Sequence, residues 1–227
     1  MTYAFLQDFS ERKRHVLHYL AVVRKAEREI RSGASRVEEG RLLTLRAGTF
    51  LVLYNLIEAT FRGGIQEIND TITRKSVAFA DLRVSLRRET IRRFKKQASP
   101  ALNHNMVDLP CEFVSIALAG EIWIEGSVDA KRIAEAAGHY GFSVRTDNRR
   151  TRGGADLLTI KDIRHDLAHG RKTFEEVGRD HPIRQLTMLS DRSLKYMSGI
   201  AQNIAGYLDS EEYRELATEE SEAASAT

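Results

Sequence analysis

Ile163-Arg164-His165-Asp166-Leu167-Ala168-His169-Gly170 packs an arginine, two histidines and an aspartate into six consecutive residues. Such groups grip phosphate, move protons near neutral pH or hold metals. The stretch before them is helix-patterned, with Leu157, Ile160, Ile163 and Leu167 at i, i+3, i+6 and i+10. Asp156 is placed to cap the start of that helix, and Gly170 is placed to let the chain leave it in a left-handed conformation. The chemistry therefore falls on the last turn. There, orphan carbonyls and the negative end of the helix dipole favour a protonated histidine.

Three readings of the octet compete. In the first, Arg164 and His169 form an R-x4-H pair that handles a phosphate. Arginine supplies a planar fork for the oxygens and histidine supplies proton transfer. Five residues apart on a helix is a separation of about 140°, so the pair does not share a face by geometry alone. Only the reach of the arginine and the loosened helix end at Gly170 bring the two together. In the second, His165-Asp166-x-x-His169 is a relative of the zinc-protease H-E-x-x-H, because i and i+4 do share a face. That site needs a third ligand, and the position six residues past His169, where an extended motif places one, is Glu175. In the third, this is an ordinary helix end whose cations complement the dipole. The phosphate-handling pair is the reading we carry forward.

The motif and its surroundings resemble the HEPN superfamily of helical ribonucleases and nucleotide-binding domains. R-H-D-L-A-H-G after an Ile/Leu-rich helix carries the resemblance. So do Glu121-Ile-Trp-Ile-Glu-Gly-Ser-Val-Asp-Ala-Lys-Arg-Ile133, Tyr140-Gly-Phe142 and the run from Arg171 to Glu176, which resemble stand-alone bacterial MAE-type HEPN proteins. The similarity runs from about Arg41 to about Leu208. It implies an all-α bundle with a small insertion before the motif helix, and a metal-independent ribonuclease acting as a toxin or antiviral effector without a cofactor. It also implies a homodimer whose motif helices form one composite cleft, with Arg164 and His169 catalytic and His165 and Asp166 in support. An antitoxin or another defence protein is an expected partner. Some HEPN toxins carry a tyrosine two residues after the histidine, which a nucleotidyltransferase antitoxin modifies; here that residue is Arg171. A non-catalytic HEPN module binding nucleotide or protein is the alternative.

The net charge of +3 hides an asymmetry. From Asp209 onward seven acidic residues face one arginine, so the rest of the chain carries +9. Positive charge gathers in Arg83, Arg87, Arg88, Arg92, Arg93, Lys95 and Lys96, and again in Arg145, Arg149, Arg150 and Arg152 just before the motif helix. With Arg171 and Lys172, these runs suit a polyanion, here RNA. A solvated helix face is the plainer account of any single run. The lone cysteine, Cys111, excludes an internal disulfide and fits a reducing cytoplasm. No signal pattern opens the sequence, and the apolar run from Thr49 to Ile57 is too short to span a bilayer, so no membrane is expected.

Periodicity gives about six helices, in one domain over 1–208 followed by a flexible acidic tail over 209–227. The first spans Leu6 to Ile30. The second, Arg41 to Asn69, is apolar over more than half its circumference and should be central. Arg74 to Gln97 forms a basic helix. A polar loop runs through His104 to Pro110, then Cys111 to Ile124 is helix or part strand, and Val128 to Ala137 is a short helix. Thr146 to Gly154 reads as a turn-rich loop, Gly170 to Pro182 as irregular, and the final helix carries Leu186 through Leu208. Asn55, Glu58 and Arg62 stand out as polar residues on the central helix. Glu58 either pairs with Arg62 at i+4 or reaches across to orient Arg164 or His169, and Asn55 and Glu58 resemble the polar element that HEPN ribonucleases place opposite the motif.

Overall fold

The computed structural model describes residues 3–31, 36–97, 113–118 and 127–215. These form helices α1 (Ala4–Arg31), α2 (Arg36–Arg74), α3 (Val84–Gln97), α4 (Phe113–Leu118), α5 (Ala130–Tyr140), α6 (Asn148–Thr151), α7 (Asp156–Ala168), α8 (Phe174–Asp180) and α9 (Ile183–Asp209). Short 3₁₀ turns cover Phe79–Asp81 and Arg152–Gly154. The fold is all-α, and among the described residues the only extended pairing is one antiparallel bridge between Leu82 and Arg214.

Helix α2 is the axis of the molecule and packs against α1, α7, α8 and α9. Phe50, Leu53, Ile57, Phe61, Ile65 and Ile68 are buried all along it, each contributing roughly 1.5–3 kcal/mol of transfer free energy. By length and composition alone the helix from Glu39 to Arg74 could cross a bilayer, a test that the buried core helix of a helical bundle also passes. Its apolar surface is instead taken up by the helices around it. Helices α1 and α9 run antiparallel beside it, joined at one end by Tyr3 Oη donating to Asp209 (2.8 Å) and at the other by Arg24 donating to Thr187 (3.3 Å).

Four expectations need correction. The basic helix starts at Val84 rather than Arg74: α2 runs on to Arg74, and Ala78 and Leu82 are extended, with Leu82 pairing with Arg214. The span from Gly170 to Pro182 is not wholly irregular, because Thr173 and Glu176 form a reciprocal capping box that starts α8. Helix α8 then lies so close to α2 that a Cβ on Gly178 would sit 2.1 Å from the Leu43 carbonyl oxygen. The loop from Thr146 to Gly154 contains the short α6, capped by Asp147. Finally, residues 209–215 of the expected tail pack against the helices. Tyr213 is fully buried, its carbonyl accepts from Arg83 N (2.9 Å), and Glu215 N donates to the Asp81 carbonyl (2.8 Å). Cys111, the loop through His104 to Pro110, most of the expected insertion and residues 216–227 lie outside the described residues.

Candidate active site on the motif helix

Helix α7 forms as its pattern requires, with Leu157, Ile160, Ile163 and Leu167 buried toward α2. Asp156 is its first residue rather than its cap, a role that falls to Ala155. The carboxylate is instead buried against α9, accepting from Arg192 Nε (2.6 Å) and Nη2 (3.4 Å), with Arg152 Nη1 also at 3.4 Å. The other end closes as a Schellman turn. Gly170 adopts φ +64°, its N–H donates to the Leu167 carbonyl (3.4 Å), and Arg171 N donates to the Asp166 carbonyl (2.8 Å). A residue with a Cβ is strained at that φ, so the glycine fixes where the motif ends.

The last turn gathers the two histidines. The rings of His165 and His169 lie 4.2 Å apart, centroid to centroid, and His169 is exposed. Arg164 lies about 140° from His169 around the helix, and its guanidinium stacks over the Tyr54 ring at 4.7 Å. Tyr54 is buried, and its hydroxyl is held by Val128 N (3.2 Å). A buried ring under a guanidinium is an attractive cation–π contact that fixes the fork in place. Within one chain, then, the fold unites His165 with His169, while the guanidinium of Arg164 is taken up by Tyr54. Asp166 faces Arg171, whose Nη1 is 3.9 Å from its carboxylate. Lys172 is exposed. Among the described residues, no group of three His, Cys, Asp or Glu side chains converges as a metal site would need.

The central-helix residues chosen from sequence do not reach the motif. Glu58 is held by Arg62 (3.0 Å to Nη2), the i+4 alternative, and Asn55 Oδ1 accepts from Arg12 of α1 (3.4 Å). The residue of α2 that does touch Arg164 is Tyr54, which sequence reasoning counted as core. Its signal was present only as an aromatic with a hydroxyl in the apolar stripe of the central helix.

Helix α7 is tied to its neighbour by a second pair. Asp129 caps α5 by accepting from Arg132 N (2.9 Å), and Lys161 of α7 donates to its other oxygen (2.6 Å). Burial pushes the Asp129 carboxyl up, but the hydrogen bonds from Lys161 and Arg132 outweigh it and hold the carboxyl below its usual value. The same hydrogen bond raises Lys161. A depressed folded-state carboxyl contributes stability above its unfolded pKa of about 3.9 and loses it as pH falls through the folded value. Asp129→Asn keeps a competent cap, so it isolates the ion pair. It should lower stability by roughly 1.5–3 kcal/mol at neutral pH. In thermal unfolding across pH, the gap between the two proteins should be constant from pH 7 to 5 and close below about pH 4.

Much of the basic run on α3 is occupied. Arg83 Nη1 donates to the carbonyls of Gly141 (2.9 Å) and Glu212 (3.2 Å), Arg87 pairs with Glu215, and Arg92 forks onto the buried Glu89 (2.7 Å for each bond). Arg88 is exposed. Before the motif, Arg149 is exposed, Arg150 lies 3.3 Å from Asp147, and Arg152 leans on Asp156. Arg145 and Arg150 face a groove against α1 and α9 whose described lining includes no residue of α3.

The all-helical fold and the R-x4-H helix fit the HEPN class of nuclease-like or RNA-related helical modules. The MAE_28990-like HEPN family matches residues 1–213, and the chain belongs to it. No curated protein and no solved structure matches the chain significantly.

Proposed function

We propose that the protein is an endoribonuclease of the HEPN type, acting in the cytoplasm as a toxin or antiviral effector, with RNA as substrate. The observation that carries this reading is the turn holding His165 and His169 in ring contact, with one of them exposed, on the helix whose Arg164 stacks its guanidinium on Tyr54. In the reaction, a histidine takes the proton of the substrate's 2′-OH as the O2′–P bond forms. A second histidine protonates the 5′-oxygen as the P–O5′ bond breaks. Arg164 stabilises the charge developing on the phosphoryl oxygens. The products are a 2′,3′-cyclic phosphate and a 5′-hydroxyl.

The composite cleft of a homodimer answers the separation of Arg164 from His169. Leu158, Asp162, His165 and His169 follow at i, i+4, i+7 and i+11 on one face of α7, and Leu158 is half exposed. Pairing two such faces would bring two copies of His169 together, one as base and one as acid. An antitoxin or other defence protein would act on this assembly. A non-catalytic module binding nucleotide or protein is the second reading, and it draws on Arg164 being stacked within its own chain.

Product analysis tests the proposal. RNA incubated with the protein in EDTA should yield 2′,3′-cyclic phosphate and 5′-hydroxyl ends by mass spectrometry, at the rate seen without chelator. Loss of activity on chelation, with zinc bound at one per chain, would instead favour the reading of His165-Asp166-x-x-His169 as a metal site.

A further inference from the structure

The antiparallel pair α1 and α9 encloses, with the segment from Arg145 to Thr151, a groove of about 650 Å³. It is separate from the histidine turn and includes no residue of α7. Five cations line it: Lys13, Arg24, Arg145, Arg150 and Lys195. Two carboxylates oppose them, and both are committed. Asp147 caps α6 and lies 3.3 Å from Arg150, while Asp191 holds Lys195 at 2.7 Å. Among the described residues, no carboxylate pairs with Lys13, Arg24 or Arg145.

The spacing of the two cations on α1 selects the ligand. Lys13 and Arg24 are eleven residues apart on α1, so they share a face within about 20° and stand about 16 Å apart along the helix. That exceeds what the phosphates of a single nucleotide can bridge, and an extended strand would span it with several phosphodiesters. Among the described residues no aromatic side chain lines the groove; its apolar floor is aliphatic, with Leu20 and Leu194. It therefore has no platform on which bases would stack, and recognition would fall on the backbone.

We infer that the groove between α1 and α9 is a sequence-independent track for the phosphate backbone of a single-stranded nucleic acid. It extends the grip on the strand made at the motif and rests on the reading of RNA as the substrate. The test uses a labelled single-stranded DNA oligonucleotide. Lacking the 2′-OH, this strand resists the cleavage proposed above, so binding is read independently of catalysis.

By fluorescence anisotropy on the full chain, Lys13→Glu and Arg145→Glu should each weaken binding about fivefold at 0.1 M salt for every phosphate they cease to neutralise. Each should also reduce the salt-dependence slope by roughly 0.7 per phosphate. Helical circular dichroism and melting temperature, measured alongside, confirm that these exposed substitutions leave the fold intact. Unlabelled strand should displace the probe, whereas tripolyphosphate and polyglutamate should not. Affinity and slope unchanged in both folded variants would overturn the track. Equal displacement by tripolyphosphate would overturn it in favour of a compact phosphate site, and equal displacement by polyglutamate in favour of an acidic protein partner. Binding as described, without any cutting of RNA, would sink the nuclease and leave the track standing.

Discussion

His169→Ala should lower the rate of RNA cleavage by about 10²–10⁴-fold, the usual contribution of a general acid or base, with the helical spectrum unchanged. The residue is exposed at the end of α7, and the turn around it is held by backbone bonds at Gly170 and Arg171, so its ring is dispensable to the fold. Arg164→Ala should cost about 10²–10³-fold, as removal of a preorganised charge stabiliser does elsewhere. Arg164→Lys is the sharper variant. It keeps the charge but loses the planar fork that stacks on Tyr54, so it should recover little of the activity. Cleavage by His169→Ala at near the wild-type rate would end the nuclease assignment.

The largest effect on stability is expected at Asp156. Its buried carboxylate joins the first residue of α7 to Arg192 of α9 and to Arg152. Removing one partner of a buried pair costs about 3–5 kcal/mol when the survivor is stranded. Arg192 keeps a quarter of its side chain in solvent, so we expect about 2–4 kcal/mol for Asp156→Ala. That corresponds to a fall of roughly 4–16 °C in melting temperature for a domain of this size. A change within half a degree would mean that solvent screens the pair and that α7 is held by its apolar face alone.

The sequence made the large helices legible because their apolar spacing is dictated by burial. The stripe of α2 and the Gly170 turn could be read directly, since only one geometry satisfies each. Helix α8 was hidden, although Thr173 and Glu176 carried the capping-box signal, because its seven residues are too few to show a period. The polar residues of α2 misled for a different reason. A charge on an apolar helix draws notice, yet Glu58 is satisfied locally by Arg62, while the contact that matters to the motif comes from an aromatic ring in the apolar stripe. Basic runs misled in the same way. Arg87 finds Glu215 across 128 residues of sequence, and Arg83 finds two carbonyls, pairings that a linear reading of charge cannot contain.

The bond between Asp156 and Arg192 also sets an order in time. Non-local contacts form only once both partners exist and the loop between them has closed. A chain emerging from the ribosome has made the whole R-x4-H segment well before Ile183–Asp209 is free to dock. Until then α7 lacks the anchor at its first residue, α1 lacks the partner that holds Tyr3, and the α2 residues facing α9 remain uncovered. The histidine turn is thus synthesised before the helix that secures it. A nascent chain that cuts RNA only when complete would not act on the message from which it is being translated.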